Sequence, residues 1–208
     1  MGYTTDFVGQ FKIEPALKTE DIEFLQKFND TRRMKRVGLD PKYGVDGEWY
    51  CGSGDAGQGH EDNIVDYNTP PSTQPGLWCQ WRPTDDGAYL EWDEGEKFYE
   101  YEVWLDYLIE NYLKPRGYVL NGTVQWQGES FDDRGALMVK DNVLETCGAS
   151  EIEDLIETEE KKWKEIVSLK LDKVIRIFDE LLTERPSQSW MPMLFAARDK
   201  VIAMKEEE

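Results

Sequence analysis

The sequence predicts an α+β fold: a ferredoxin-like antiparallel sheet with two helices on one face, followed by a C-terminal αα-hairpin. Three observations lead there. Residues 76–141 combine two period-two hairpins with one strongly apolar helical stretch between them, and hold five of the eight Trp residues. Across the first 147 residues the periodic segments fall in the order β-α-β-β-β-α-β-β. Beyond Gly148 the apolar period becomes helical and, apart from a break at Pro186, stays so. The chain therefore divides into an α+β core domain over 1–147 and a helical hairpin over 148–208.

The first strand is TTDFVGQFKIEP, with Phe7, Gly9, Phe11 and Ile13 on one side and Asp6, Val8, Gln10 and Lys12 on the other, stopped by Pro15. Thr19 is the expected N-cap of a helix whose first turn carries Glu20, Asp21 and Glu23, where the dipole favours anions. Ile22, Leu25 and Phe28 form its buried stripe, and it is expected to run to about Arg36. Its end, Thr31-Arg32-Arg33-Met34-Lys35-Arg36, places four cations in five positions. Cations near a helix C-terminus complement the dipole. The functional alternative is that Arg32, Arg33, Lys35 and Arg36 form a patch for an anion or an acidic partner.

A short strand is expected at Glu48–Cys51, leading into a long loop over 52–76. Its glycines match neither a Walker loop nor a dinucleotide fingerprint, because no Gly-Lys-Ser/Thr and no helix follows. The loop carries the chain's one histidine, His60, beside Asp55, Glu61, Asp62 and Asp66. One His among loop carboxylates has no diagnostic ligand spacing, so it reads as a solvated loop rather than a metal or general-base site. No metal and no cofactor is expected.

Leu77–Pro83 alternates, Thr84-Asp85-Asp86-Gly87 is a hairpin turn, and Ala88–Asp93 returns. A helix over about 97–114 aligns Phe98, Tyr101, Trp104, Leu105, Leu108, Ile109, Tyr112 and Leu113, and Pro115 and Gly117 end it. Tyr118 to Gln127 and Ala136 to Lys140 then make a second strand pair. With the helices covering one face, the opposite face is expected to carry Trp78, Gln80, Arg82, Glu91, Gln125 and Gln127. Trp, Gln and Arg on an open sheet can stack a base or hold a ligand or partner. An open antiparallel sheet also carries such residues simply because that face is wet. In the C-terminal part, Ser150-Glu151-Ile152-Glu153 is a capping box opening a helix of some 30 residues. A second helix is expected from Ser189.

Net charge is −19, from 24 Lys and Arg against 43 Asp and Glu. Residues 1–149 hold 28 acidic and 14 basic side chains, and residues 150–208 hold 15 and 10, so the excess belongs to the α+β part. Such a field repels phosphate backbones and anionic membranes, which disfavours direct nucleic-acid binding and favours a protein partner with a basic surface. No run approaches the roughly 20 apolar residues that cross a bilayer. The N-terminal MGYTTDFVGQF lacks the regions of a secretory signal, and Cys51, Cys79 and Cys147 form no CxxC. Both point to a cytoplasmic protein with reduced thiols.

GYTTDF, DTRRMKR and QPGLWCQW…LEW…EKFY…WLDYLI…GYVLNG together resemble an uncharacterised family of bacterial and phage proteins, over residues 2–147. The resemblance implies a small soluble protein of the bacterial cell, or of the host cytoplasm if phage-encoded, and supplies no catalytic residues. Three functions remain open on the residues. One is a non-enzymatic acidic binding or regulatory protein that inhibits a host defence or nucleic-acid-processing protein, its surface mimicking nucleic acid. Another is a nucleotide or small-molecule hydrolase on the mixed sheet face, drawing on Glu91, Glu96, Glu129, Asp132 and Asp133 with His60 or Arg82 assisting. The last is an oligomerisation module assembled through the C-terminal helices.

Overall fold

The structure, a computed structural model, describes residues 2–52, 61–184 and 196–202. The chain forms two compact units, Met1–Ala149 and Ser150–Glu208. The first is mixed α and β. Strands β1 (Thr5–Glu14), β4 (Trp81–Pro83), β5 (Tyr89–Trp92), β6 (Val119–Gly128), β7 (Arg134–Lys140) and β8 (Val143–Gly148) make one six-stranded sheet in the order β4-β5-β1-β6-β7-β8. Every neighbouring pair is antiparallel. A separate ladder joins β2 (Lys35–Arg36) to β3 (Ile64–Asp66).

The centre of the sheet is the pairing of β1 with β6, in register from Thr5↔Gly128 to Glu14↔Val119. Two glycines allow it. Gly9 has φ 118° and Gly122 has φ 142°, a region that side chains resist. A Cβ on Gly9 would lie 2.6 Å from the Thr123 carbonyl oxygen, and one on Gly122 would lie 2.8 Å from that of Gln10. Each strand thus needs a missing side chain where the other's backbone passes.

One sheet face is packed. Phe7, Phe11, Ile13, Trp81, Leu90, Leu120, Val124, Leu137 and Val139 share a buried cluster with residues of two helices, α1 (Thr19–Asn29) and α2 (Tyr101–Leu108). Phe7 meets Trp81, Trp92, Phe98 and Tyr101 edge-on at 4.9–5.9 Å, the geometry aromatic quadrupoles favour. Buried Asp21 ties the start of α1 to the far end of the second helical segment. It accepts from the Tyr112 hydroxyl at 2.8 Å and the Tyr118 hydroxyl at 2.6 Å, with Arg116 at 3.6 Å. In the sequence Asp21 reads only as a first-turn anion. Its tyrosine partners lie 91 and 97 residues away, beyond any local pattern.

Several boundaries depart from the sequence reading. Helix α1 is flanked by Lys18, whose N–H meets the Tyr118 hydroxyl at 3.3 Å, and Thr19 is not a side-chain cap. The helix stops at Asn29, not near Arg36, because the Thr31 hydroxyl turns back onto the Lys27 carbonyl at 2.6 Å and Arg33 N–H leaves for the Leu77 carbonyl at 2.8 Å. Residues 48–51 are not a strand. They follow a 3₁₀ turn at Val45–Gly47, and Trp49 and Tyr50 N–H groups bond locally, to Tyr43 and Gly47. Strand β4 begins at Trp81, four residues after Leu77. Helix α2 begins at Tyr101 and passes through a π turn, Ile109–Leu113, and a 3₁₀ turn, Lys114–Arg116, before Gly117. Strand β8 was not anticipated. Asp141 and Asn142, with φ 50° and 66°, form the two-residue turn that starts it, since both types tolerate the left-handed region.

In the second unit, α3 (Ala149–Glu184) is a single helix, and residues 196–202 are helical as well. The expected second helix from Ser189 falls partly outside the described residues. Arg198 Nε donates to Asp179 Oδ1 at 2.7 Å. No helix is long and apolar enough to cross a membrane, among the described residues.

The glycine interlock makes the first prediction. Gly122→Ala should cost about 3 kcal/mol of stability, through the contact with the Gln10 carbonyl added to the strained φ. Gly117→Ala, with φ 80° and nothing within 4 Å of its Cβ, should cost only about 1 kcal/mol. Urea unfolding followed by tryptophan fluorescence reads both; equal losses would show that the interstrand contact does not matter.

Candidate functional site

Two places carry the residues singled out by chemistry: the outer sheet face and the segment from Arg32 to Arg36. On the outer face, cross-strand register sets Arg82 opposite Glu91, Val8 opposite Gln125 and Asp6 opposite Gln127. Glu91 accepts from the Gln10 side chain across β5 and β1. Arg82, Glu91, Gln125 and Gln127 therefore share a surface. Trp78 and Gln80 do not join them, because β4 has not yet begun at their positions. Gln80 is buried, donating from Nε2 to the Glu96 carbonyl at 3.1 Å and accepting from Trp92 Nε1 at 3.4 Å. Trp78 is half-buried with the Arg32 guanidinium 5.9 Å from its ring centroid. Gln127 is committed to the β6–β7 loop, donating to the Ser130 carbonyl at 2.8 Å.

What remains on the face is small and mixed: exposed Val8, Thr123 and Gln125, with half-buried Met138. A shallow groove follows the missing side chain of Gly9, between Phe7, Val8, Gln10, Glu91, Trp92 and Glu94. The tryptophan that would have stacked a base, Trp78, is elsewhere.

One end of this sheet is densely acidic. It gathers the start of β1, the end of β5, the end of β6 and the start of β7. Asp6, Glu94, Glu96, Glu129 and Asp132 are exposed there, with Asp93 and Asp133 half-buried. Asp133 accepts from the Tyr3 hydroxyl, and Glu129 Oε1 accepts from Thr4 N–H at 3.0 Å, so the N-terminal residues brace this rim. Asp93 holds the turn that follows β5, accepting from Gly95 N–H at 2.7 Å and Asn29 Nδ2 at 2.8 Å.

The four clustered cations anchor the ends of the long loop, two from the interior and two, Arg32 and Lys35, from half-buried positions. Arg33 and Arg36 are buried, at 2% and 3% exposure. Arg36 pairs with Glu61, donates to Asn63 Oδ1 at 2.8 Å and lies 4.1 Å from the Tyr50 ring centroid, while the Tyr50 hydroxyl meets Glu61 at 3.0 Å. Arg33 donates to the Tyr50 carbonyl and lies 4.2 Å over Phe28. Arg32 donates to the Tyr67 carbonyl at 3.0 Å and Asn68 Oδ1 at 3.2 Å, and Lys35 reaches Asp46 at 3.5 Å. Hydrogen bonds from the Ser72 hydroxyl and N–H hold the Asp46 carboxyl below its ordinary range. The segment thus grips 46–50 on one side and 61–68 on the other. These cations are neither a helix end nor an open surface patch: Arg33 and Arg36 are buried together with Thr31 and Met34, and no local spacing signals it.

Burial pushes the Cys79 thiol up to about 12 and the Cys51 thiol upward as well, so neither is a thiolate at neutral pH. His60 lies outside the described residues. Among the described residues no group of three His, Cys, Asp or Glu is placed to hold a metal ion. No family profile, curated protein or solved structure matches the chain.

Buried phenols supply a pH test. Burial raises Tyr101 to about 12 and pushes Tyr107 and Tyr112 further up, with hydrogen bonds to Glu48 and Asp21 adding to it. A folded pKa above the unfolded value of about 10 contributes stability that is intact below pH 10 and lost as pH climbs through the folded value. Phenolate absorbance of the native chain should therefore lag behind that of the urea-unfolded chain above pH 10. Superimposable titrations would mean that these hydroxyls are not desolvated.

Proposed function

We propose that the chain is a non-enzymatic binding protein that holds a basic partner protein against the acidic end of its sheet. One observation carries this reading: six of the fourteen basic side chains of the α+β unit are paired with carboxylates or buried. Lys12, Lys35, Arg36, Lys114 and Arg116 face Glu14, Asp46, Glu61, Glu110 and Asp21, and Arg33 is buried. With 28 acidic groups against 14 basic ones, residues 1–149 carry a net charge of −14. Glu94, Glu96, Glu129 and Asp132 project its field from one rim. Such a field steers association with a basic surface and weakens as salt screens it.

In this reading the partner is a host protein that normally holds nucleic acid, a defence or nucleic-acid-processing protein, and occupation of its basic surface inhibits it. The family resemblance supports a bacterial or phage setting. The strand order β4-β5-β1-β6, with α1 following β1 and α2 following β5, supports a ferredoxin-like unit extended by β7 and β8. The Arg198–Asp179 bond supports an αα-hairpin in the second unit.

Capture from bacterial lysate tests the main reading. The native chain should retain a basic protein at low salt and release it in a few hundred millimolar salt. Glu94→Gln/Glu96→Gln/Glu129→Gln/Asp132→Asn together should abolish retention. Nothing retained, or equal retention by the variant, would remove this function.

Self-association through α3 is a second reading, favoured by one specific observation. Trp163, Ile166, Val174 and Ile177 lie along one stripe of the helix and are exposed, Trp163 at 62%. An apolar helical stripe of this kind is covered when two helices pair. Sedimentation velocity of the native chain should give a dimer that Trp163→Glu/Ile166→Glu converts to a monomer; a monomeric native chain would rule this out.

A further inference from the structure

Behind the arginine anchor lies a set of buried polar atoms that the chain itself leaves without partners. Among the described residues, Arg33 Nε and Nη1, Trp104 Nε1 and Gln74 Oε1 are sealed from solvent and make no hydrogen bond. They belong to one neighbourhood. The Phe28 ring lies 4.2 Å from the Arg33 guanidinium, 5.8 Å from Trp49 and 6.1 Å from Trp104. Tyr107 closes the other side, 5.6 Å from both Trp49 and Trp104, and its hydroxyl receives Gln74 Nε2 at 3.2 Å. Buried donors are almost always satisfied, and an unsatisfied one costs its full desolvation. Two such donors on a buried cation and a third on a neighbouring indole therefore point to a bound partner that is not part of the chain.

Charge decides what that is. The groups able to carry a negative charge that act most strongly on Arg33 are Cys51, Cys79 and Tyr107, all of which burial keeps protonated at neutral pH. Of the carboxylates at the edges of the site, Glu61 is taken by Arg36 and Glu48 accepts from the Tyr107 hydroxyl at 3.1 Å. No carboxylate is hydrogen-bonded to Arg33. A buried guanidinium without a counter-charge is among the costliest arrangements in a protein interior, and a neutral water satisfies its hydrogen bonds without cancelling its charge.

We propose that the interior site bounded by Phe28, Arg33, Trp49, Gln74, Trp104 and Tyr107 binds a small monovalent anion of halide size. Arg33 and the Trp104 indole donate to it, and aromatic walls exclude bulk water. An accompanying water that donates to Gln74 Oε1 and to the anion completes the set. The anion cancels the Arg33 charge and so holds the segment Trp49–Cys51, through the Tyr50 carbonyl, against α1 and α2. This site is independent of the acidic rim and stands or falls separately from it.

Crystals of the full chain equilibrated in sodium bromide test it directly. An anomalous bromine peak within hydrogen-bond distance of Arg33 Nε or Nη1 or of Trp104 Nε1 is the expected result. A water or empty density there in bromide overturns the proposal. In solution, at constant ionic strength, bromide replacing gluconate should raise the thermal midpoint. Trp104→Phe, which keeps the ring and Arg33 but removes one donor, should require about tenfold more bromide for the same rise. An unchanged midpoint in the native chain, or an unchanged bromide requirement in Trp104→Phe, would contradict it. Arg33→Met should lose the bromide response altogether if it folds, and the Trp104→Phe comparison decides the matter if it does not.

Discussion

The fold rests on one long-range pairing: ten residues of β1 against ten of β6, with more than a hundred residues of chain between them. It is the joint at which β4-β5 and β7-β8 meet, and the inner side chains of these two strands, Phe7, Phe11, Ile13, Leu120 and Val124, seat the core on which both helices lie. The two backbones approach so closely at Gly9 and Gly122 that neither position accepts a Cβ. Shallow grooves run past both positions, one lined by Val8, Gln10 and Glu91 and the other by Asn121, Thr123 and Met138.

A second constraint is electrostatic. In a chain of net charge −19, four cations within five residues would be the natural surface feature for an acidic ligand. The structure buries two of them, Arg33 and Arg36, and leaves Arg32 and Lys35 half-buried. Arg33 and Arg36 brace Tyr50 from two directions, Arg32 and Lys35 secure the segments beyond, and the ends of the long loop are pinned in place. Burying guanidinium groups is costly and demands partners. Arg36 finds Glu61 and Asn63, while Arg33 finds the Tyr50 carbonyl, the Phe28 face and the Cys51 thiol. The exposed acidic residues Glu94, Glu96, Glu129 and Asp132 lie apart from this cluster, at one end of the sheet.

Much of the sheet was legible because alternation carries it. Phe7, Phe11 and Ile13 point inward as their spacing requires, and so do Trp81, Leu90, Leu120 and Val124. The turn at Asp141-Asn142 was legible in principle, but the alternation after it, Val143 to Cys147, is weak in apolar residues and β8 escaped. What could not be read locally depends on distant partners. The end of α1 is set by where Arg33 and Thr31 find acceptors, and the burial of Gln80 by Trp92 and the Glu96 carbonyl. The candidate face was half legible for the same reason. Arg82, Glu91, Gln125 and Gln127 sit in paired strands, whereas Trp78 and Gln80 precede the point at which β4 joins the sheet.

The central claim is that Arg33 and Arg36 form an internal anchor and not a surface patch. Arginine-selective labelling of the folded chain with phenylglyoxal, read by mass spectrometry, tests it most directly. Arg116, whose side chain is 45% exposed, should react readily, while Arg33 and Arg36 stay unmodified until the chain is unfolded. Labelling of Arg33 and Arg36 at the rate of Arg116 in the folded protein would contradict the account.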